Sequence, residues 1–426
     1  MFAGISLRQA PPLSVIFSFF LNAKIFLLLA GVLYFFLGVN LALIHTLTLG
    51  FLLSMIFGAT FQMLPVLAGI HIKKPRFIAF FTLLFLDFGI FCFLARFIFE
   101  KEIFFAFALA FLNLGIWIFL IAIFLEIKNI THKTATIYYM LVALFCLALL
   151  SIFGVILGLK FAGVFFDYPL EVLLSTHILL AICFVVLLIF GVILQVLPMF
   201  YVACNFPKIF YKIFMPFLFI FLLLNIVFAY FDSFFAWDYF IFDFSNVINP
   251  LSLLLLGLIF VSLSGFAIKT LFLRKRKIKE ISIWFWYFGF FNLLLCGILC
   301  FVMLSFRYFA IHFTWILELI RIFFAFGFVF SIVFAMFFKI VPFLTWFHLS
   351  FQGVMNLPNM REIITQNAMK VHFMIFIVGY FLLLCGVRFA FALSLIALGI
   401  VGIFHIFRAY RLYLHTLKTS PKMKFE

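Results

Sequence analysis

Two histidines and an arginine occupy matching places in three apolar segments of this chain. His45 lies 20 residues before Pro65, His177 lies 21 before Pro198, and Arg321 lies 21 before Pro342, with Glu318 one helical turn before it. Ionisable side chains inside a bilayer are costly and functional by default. A neutral imidazole held by a second partner is the usual axial ligand of haem iron and a common ligand of copper. Thr46, Thr48, Ser175 and Thr176 stand close enough in sequence to orient the two rings. The competing reading is that each imidazole hydrogen-bonds a neighbouring helix and binds nothing. Glu318 and Arg321, spaced i, i+3, form either a structural ion pair or a propionate anchor, a proton site or a charge partner for something bound. Arg388 serves either as a second propionate anchor or as an ordinary interfacial arginine.

Four more polar side chains fall within apolar stretches. Asp87 stands mid-span and needs a proton, a polar neighbour or a place on an ion path. Gln62 and Gln195 each stand three residues before the proline of their segment, and Lys339 takes the same place in the third. The amides are placed to receive backbone groups freed by Pro65 and Pro198, and Lys339 to snorkel to the inner interface. His405 falls toward the inner end of the last span. His71, His132, His312, His348, His372 and His415 fall near connections or helix ends and read as solvated or interfacial.

The elements that position these groups must be membrane helices. The 426 residues are 69% hydrophobic and 10% charged, far from the roughly even apolar content and one-quarter charge of soluble domains. Apolar runs predict about twelve spans, near 15–38, 40–67, 77–98, 103–126, 137–159, 172–203, 209–231, 248–272, 283–305, 314–347, 369–387 and 390–415. The 76 Phe read as lipid-facing bulk. Net charge +16 is spread over short clusters between spans, which argues for headgroup contact and against nucleic acid. The clusters follow even-numbered spans, as in His71–Arg76 and Arg274–Lys279, so the positive-inside rule puts both termini in the cytoplasm of a bacterial inner membrane. Pro11 and Pro12 precede a full-length span without a cleavage signature, so that span is expected to be retained. The seven Cys show neither CxxCH nor paired CxxC spacing and read as small core residues.

The segments Gly58…Gln62…Pro65, Gly191…Gln195…Pro198 and Ala335…Lys339…Pro342 share one pattern. Gly115, Gly257 and Gly399 then follow at equal steps of 142 residues, one third of the chain. This predicts an all-α membrane fold of three co-oriented four-helix repeats, residues 1–142, 143–284 and 285–426, around a pseudo-threefold axis. Small residues at 58, 191 and 335 would let helices approach closely.

Twelve helices in three groups of four, with histidines on spans two and six, resemble subunit I of the haem–copper oxidases. In that family span two gives a low-spin haem ligand, matched in position by His45, and span six a copper-B ligand, matched loosely by His177. Ala181 stands where the family has tyrosine, span seven lacks histidine, and Glu318 and Arg321 stand where His-x-His would fall. The copper-B set is absent, so dioxygen reduction is not expected. The pattern His45…Gly50…Gly58…Pro65 also resembles NnrS-type membrane proteins, which are associated with haem, copper and nitric-oxide tolerance. The resemblance implies haem b and copper as cofactors and His45, His177, Glu318, Arg321 and Arg388 as cofactor-binding residues. It further implies a role in respiratory-complex assembly or nitrosative-stress handling, with respiratory subunits as partners. The alternative is a permease for a small solute or ion, with Asp87, Glu318, Arg321 and Lys339 on its path. A structural assembly subunit is the third reading. No nucleophile–base pair or nucleotide loop points to an independent enzyme.

Overall fold

The computed structural model describes residues 11–130, 133–164, 169–218, five scattered positions between 220 and 227, and residues 250–275, 277–308 and 314–421. Among them, eleven helices are long and apolar enough to cross a bilayer. We label them α1 (Leu13–Leu37), α2 (Leu41–Ala68), α3 (Pro75–Phe99), α4 (Glu102–Phe124), α5 (Ala135–Phe161) and α6 (Leu170–Tyr201). After the short α7 (Lys208–Lys212) come α8 (Pro250–Phe272), α9 (Ser282–Tyr308), α10 (Trp315–Phe351), α11 (Gln366–Leu384) and α12 (Arg388–Thr419). They match eleven of the expected spans; of the seventh (209–231), residues 219, 222, 225, 226 and 228–231 lie outside the described residues. The chain is an all-helical, multi-pass membrane protein.

Helix is the required state for these sequences because hydrocarbon offers nothing to an unpaired backbone amide. The punctuation is local. At Gly38 the backbone turns left-handed (φ 66°) and its N–H closes on the Tyr34 carbonyl at 3.0 Å. Two residues later the Asn40 side chain caps α2 by accepting from Leu43 N–H at 2.8 Å. Gly69, also left-handed, ends α2 and donates to the Pro65 carbonyl. Thr134 and Thr365 cap α5 and α11. Pro65 and Pro198 sit three residues before their helix ends, whereas α10 runs on past Pro342 to Phe351. Large apolar side chains face outward throughout, among them Phe36, Phe77, Phe80 and Phe99, as a lipid-facing surface requires.

α2 and α10 each contain one π-helical stretch, Thr46–Leu53 and Phe323–Phe330. Both begin 19 residues before the helix proline, and neither was signalled by hydrophobic pattern. A π-turn opens the backbone ladder and often marks a functional site.

The described residues fall into two compact units. The first takes α1 to α4, the opening turn of α9, α10 from Phe330 onward, α11 and α12. The second takes α5 to α8, the rest of α9 and the first part of α10. The expected repeat boundaries at 142/143 and 284/285 fall inside α5 and α9, so chain-thirds and compact units are different divisions.

Within the first unit α12 lies antiparallel along α1, and the residues that permit it form a ladder. A Cβ on Gly31 would meet the Ala392 carbonyl and the Ile396 amide, each at 2.8 Å; one on Gly399 would meet the Leu28 amide at 2.8 Å. A Cβ on Gly402 would strike Lys24 Cδ at 2.6 Å. Gly31, Leu28 and Lys24 thus descend α1 opposite Ala392, Gly399 and Gly402 of α12. The close approach gains dispersion contact where no hydrophobic drive exists.

Candidate functional site

The ladder ends on a charge. Lys24 is the twelfth residue of the 25-residue α1, which places it at mid-span, and none of it is exposed. Its Nζ lies 4.4 Å from the Phe334 ring centroid, 4.4 Å from Phe337 and 5.4 Å from Phe51. These rings from α10 and α2 give the ammonium a box of aromatic faces, each about 0.5–2 kcal/mol of attraction. The Lys24 Nζ has no hydrogen-bond partner among the described residues.

Beside it stand His372 of α11 and His405 of α12, exposed by 0% and 1%. Their ring centroids are 5.6 Å apart and tilted by 44°. Phe334 and Phe338 wall them in, with His372 centroid distances of 4.9 and 5.2 Å, and Phe338 lies 5.6 Å from His405. All four imidazole nitrogens lack a hydrogen-bond partner among the described residues. Buried polar atoms are nearly always satisfied, so five unpartnered nitrogens in one cluster form the most unusual local feature of the first unit.

Sequence reasoning missed this cluster. His372 was expected at an interface and is instead fully buried. His405 is buried as well. Lys24 went unnoticed, although a single lysine in the middle of a 25-residue apolar helix is a readable signal. Part of the Phe content, read as lipid-facing bulk, builds the walls of the cluster.

The expected residues are distributed differently. His45 belongs to the first unit and His177 to the second. His45 is half-buried; its Nδ1 lies 2.9 Å from the Leu41 carbonyl and its ring packs on Phe93 at 4.7 Å. The orienting partner is therefore backbone, not Thr46 or Thr48, whose hydroxyls donate to the Ala42 and Ile44 carbonyls. Ser175 and Thr176 likewise both donate to the Val172 carbonyl, and the His177 ring lies against Gly154. With Nδ1 donating to Leu41, the His45 Nε2 is the nitrogen left for a ligand, an arrangement that fits one axial bond to haem iron. No group of three His, Cys, Asp or Glu able to hold a metal occurs among the described residues.

Glu318 and Arg321 pair with each other at 3.0 Å, both largely exposed, so the structural ion pair is the arrangement present. Lys339 pairs with Glu280 ahead of α9, both mostly buried, instead of reaching outward alone. Arg388 is exposed as the first residue of α12. Gln62 is buried and its amide has no hydrogen-bond partner among the described residues, the carbonyls around Pro65 included. Gln195 is half-buried in α6.

Asp87 has the polar neighbour its position demanded. The Asn22 side-chain amide donates to Asp87 Oδ1 at 2.8 Å and to Ser54 Oγ at 3.3 Å, joining α1, α2 and α3. Replacing Asn22 with alanine leaves this carboxyl short of a donor and is expected to destabilise the protein by about 1–3 kcal/mol. The thermal unfolding midpoint in detergent should fall accordingly. The Asn22→Leu/Asp87→Leu double variant should recover most of the loss, because both polar partners are then gone.

Comparison with known proteins gives no match: neither a protein-family model nor a curated protein aligns with the chain.

Proposed function

We propose that this multi-pass membrane protein is a permease for a small solute, with Lys24, His372 and His405 as its binding centre. The observation that supports this most is the set of five buried nitrogens, those of Lys24, His372 and His405, without a hydrogen-bond partner among the described residues. A purely structural polar cluster pairs its donors with acceptors, as Asn22 and Asp87 do. A site meant to exchange its occupant with water keeps donors that only the occupant satisfies.

The permease is proposed to be built as three co-oriented four-helix repeats with both termini at the cytoplasmic face of a bacterial inner membrane. Two packing features support the tripling. The π-helical stretches of α2 and α10 stand at the same register before Pro65 and Pro342. Gly115, Gly257 and Gly399 each sit where a Cβ would meet a neighbouring backbone within 3.2 Å: Leu86 N and Thr82 O, Gly297 O, and Leu28 N. In proteoliposomes the purified protein should carry solute across the bilayer, and Lys24→Met should abolish that flux. Wild-type flux in the variant would end this reading.

A second reading, haem binding on an oxidase-like scaffold with roles in respiratory assembly or nitrosative stress, is favoured by the orientation of His45. Arg388, in the same unit as His45, would serve as a propionate anchor. It predicts a Soret band in the purified protein that sharpens on dithionite reduction and disappears in His45→Leu. Protein purified from haem-replete cells without that band would remove this reading.

A further inference from the structure

Building on the permease reading, we infer that the Lys24–His372–His405 cluster is a binding site for a small monovalent anion of about the size of chloride. Three features select this class of ligand: charge, hydrogen-bonding polarity and space.

Charge comes first. The charged groups acting on the two imidazoles are Lys24 on both and Arg408 on His405, all basic. On α10, Lys339 is paired with Glu280, which lies ahead of α9. Asp87 is engaged by Asn22. A lysine held at mid-span with no carboxylate paired to it among the described residues is costly, and a bound anion would offset much of that cost. A metal cation would add repulsion to the same place.

Polarity agrees. The ammonium offers three N–H donors and each neutral imidazole one, whereas the two imidazoles offer at most two acceptor nitrogens between them. Donors exceed acceptors, which suits an anion and not a hydroxyl-rich neutral solute. Donation to a charged acceptor is also the stronger kind of hydrogen bond.

Space sets the size. Ring centroids around the cluster lie 4.9 to 5.6 Å apart, and the lysine stem is pressed on Gly402. These are direct ring contacts, so an occupant beside the ammonium is limited to one or a few atoms.

The full-length protein in nanodiscs provides the test, with sodium chloride, sodium bromide and sodium gluconate compared at equal ionic strength. Chloride and bromide are expected to raise the thermal unfolding midpoint by several degrees over gluconate. The ³⁵Cl NMR line should broaden with the protein and narrow again when bromide displaces chloride. Lys24→Met and His372→Leu/His405→Leu should lose both effects, and Lys24→Arg should keep part of them. Identical midpoints in the three salts, or chloride broadening unchanged in Lys24→Met, overturn the inference. So does copper retained at one per chain and lost in His372→Leu/His405→Leu. The NMR measurement on the unaltered chain decides the case even where a variant misfolds. Chloride binding without flux in proteoliposomes leaves this site standing and removes the permease reading; flux of another solute with no halide effect does the reverse.

Discussion

Lys24→Met is expected to unfold at a higher temperature than the wild-type chain in gluconate buffer, while losing flux and halide response. The sign follows from two opposing terms. Burying an ammonium away from water and counter-charge costs several kcal/mol even after relaxation, and about 3 kcal/mol on insertion scales for a bilayer-centre lysine. The rings of Phe334, Phe337 and Phe51 return part of it, about 0.5–2 kcal/mol per face. Methionine keeps the length and bulk of the stem that lies against Gly402 and removes the charge. A net gain of about 1–3 kcal/mol is expected. Lys24→Ala should instead lower the midpoint, because the space between α1 and α12 is left unfilled. In chloride the advantage of methionine should shrink or reverse, since only the lysine gains from the bound ion. A residue whose removal raises stability and abolishes activity is one kept for function. Should methionine destabilise as much as alanine in gluconate, Lys24 would be a packing element and the site would lose its centre.

The sequence revealed which segments cross the membrane because that property is local. Length, apolar content and the stops at Gly38 and Gly69 need no partner. The glycines at 115, 257 and 399 were likewise legible as a spacing, though not what each touches. The site was harder because its members are ordinary one at a time. His372 stands seven residues into α11, close enough to the helix start to suggest an interface; Phe334 and Phe338 of α10 and His405 of α12 bury it. Burial contributed by two other helices leaves no mark on the segment itself. The His45 partner failed for a different reason. Thr46 and Thr48 stand close enough in sequence to orient the imidazole, but a hydroxyl in a helix reaches the carbonyl four residues back first, and both do. The π-stretches, too, reflect how α2 and α10 pack, and hydrophobic periodicity does not report a single extra residue per turn.

Gly399→Leu is expected to have the largest effect on the fold, and it links the repeat to the site. Its Cβ would lie 2.7 Å from Leu28 Cβ, 2.8 Å from the Leu28 amide nitrogen and 2.9 Å from its Cα. Backbone cannot swing aside as a side-chain tip can, so α12 must move away from α1. Overpacking costs about 1–3 kcal/mol in a well-packed core. The cost here falls at or above the upper end, because the contacts from Gly31 to Ala392 and from Gly402 to Lys24 open with it. Thermal midpoint and monodispersity in detergent should both fall. The halide response should vanish as well, since the same displacement carries His405 away from Lys24. Gly257→Leu is the control. Its Cβ would crowd the Phe301 ring and the Gly297 carbonyl between α8 and α9, in the second unit. It should lower the midpoint comparably yet leave the chloride-induced shift intact. If the 142-residue spacing reflects one packing role used three times, Gly115→Leu should match both in stability, because its Cβ would meet the Leu86 amide at 2.9 Å. A Gly399→Leu protein with wild-type midpoint and halide shift would show that α1 and α12 are not held at this distance, and the placement of Lys24 against His405 would fall with it.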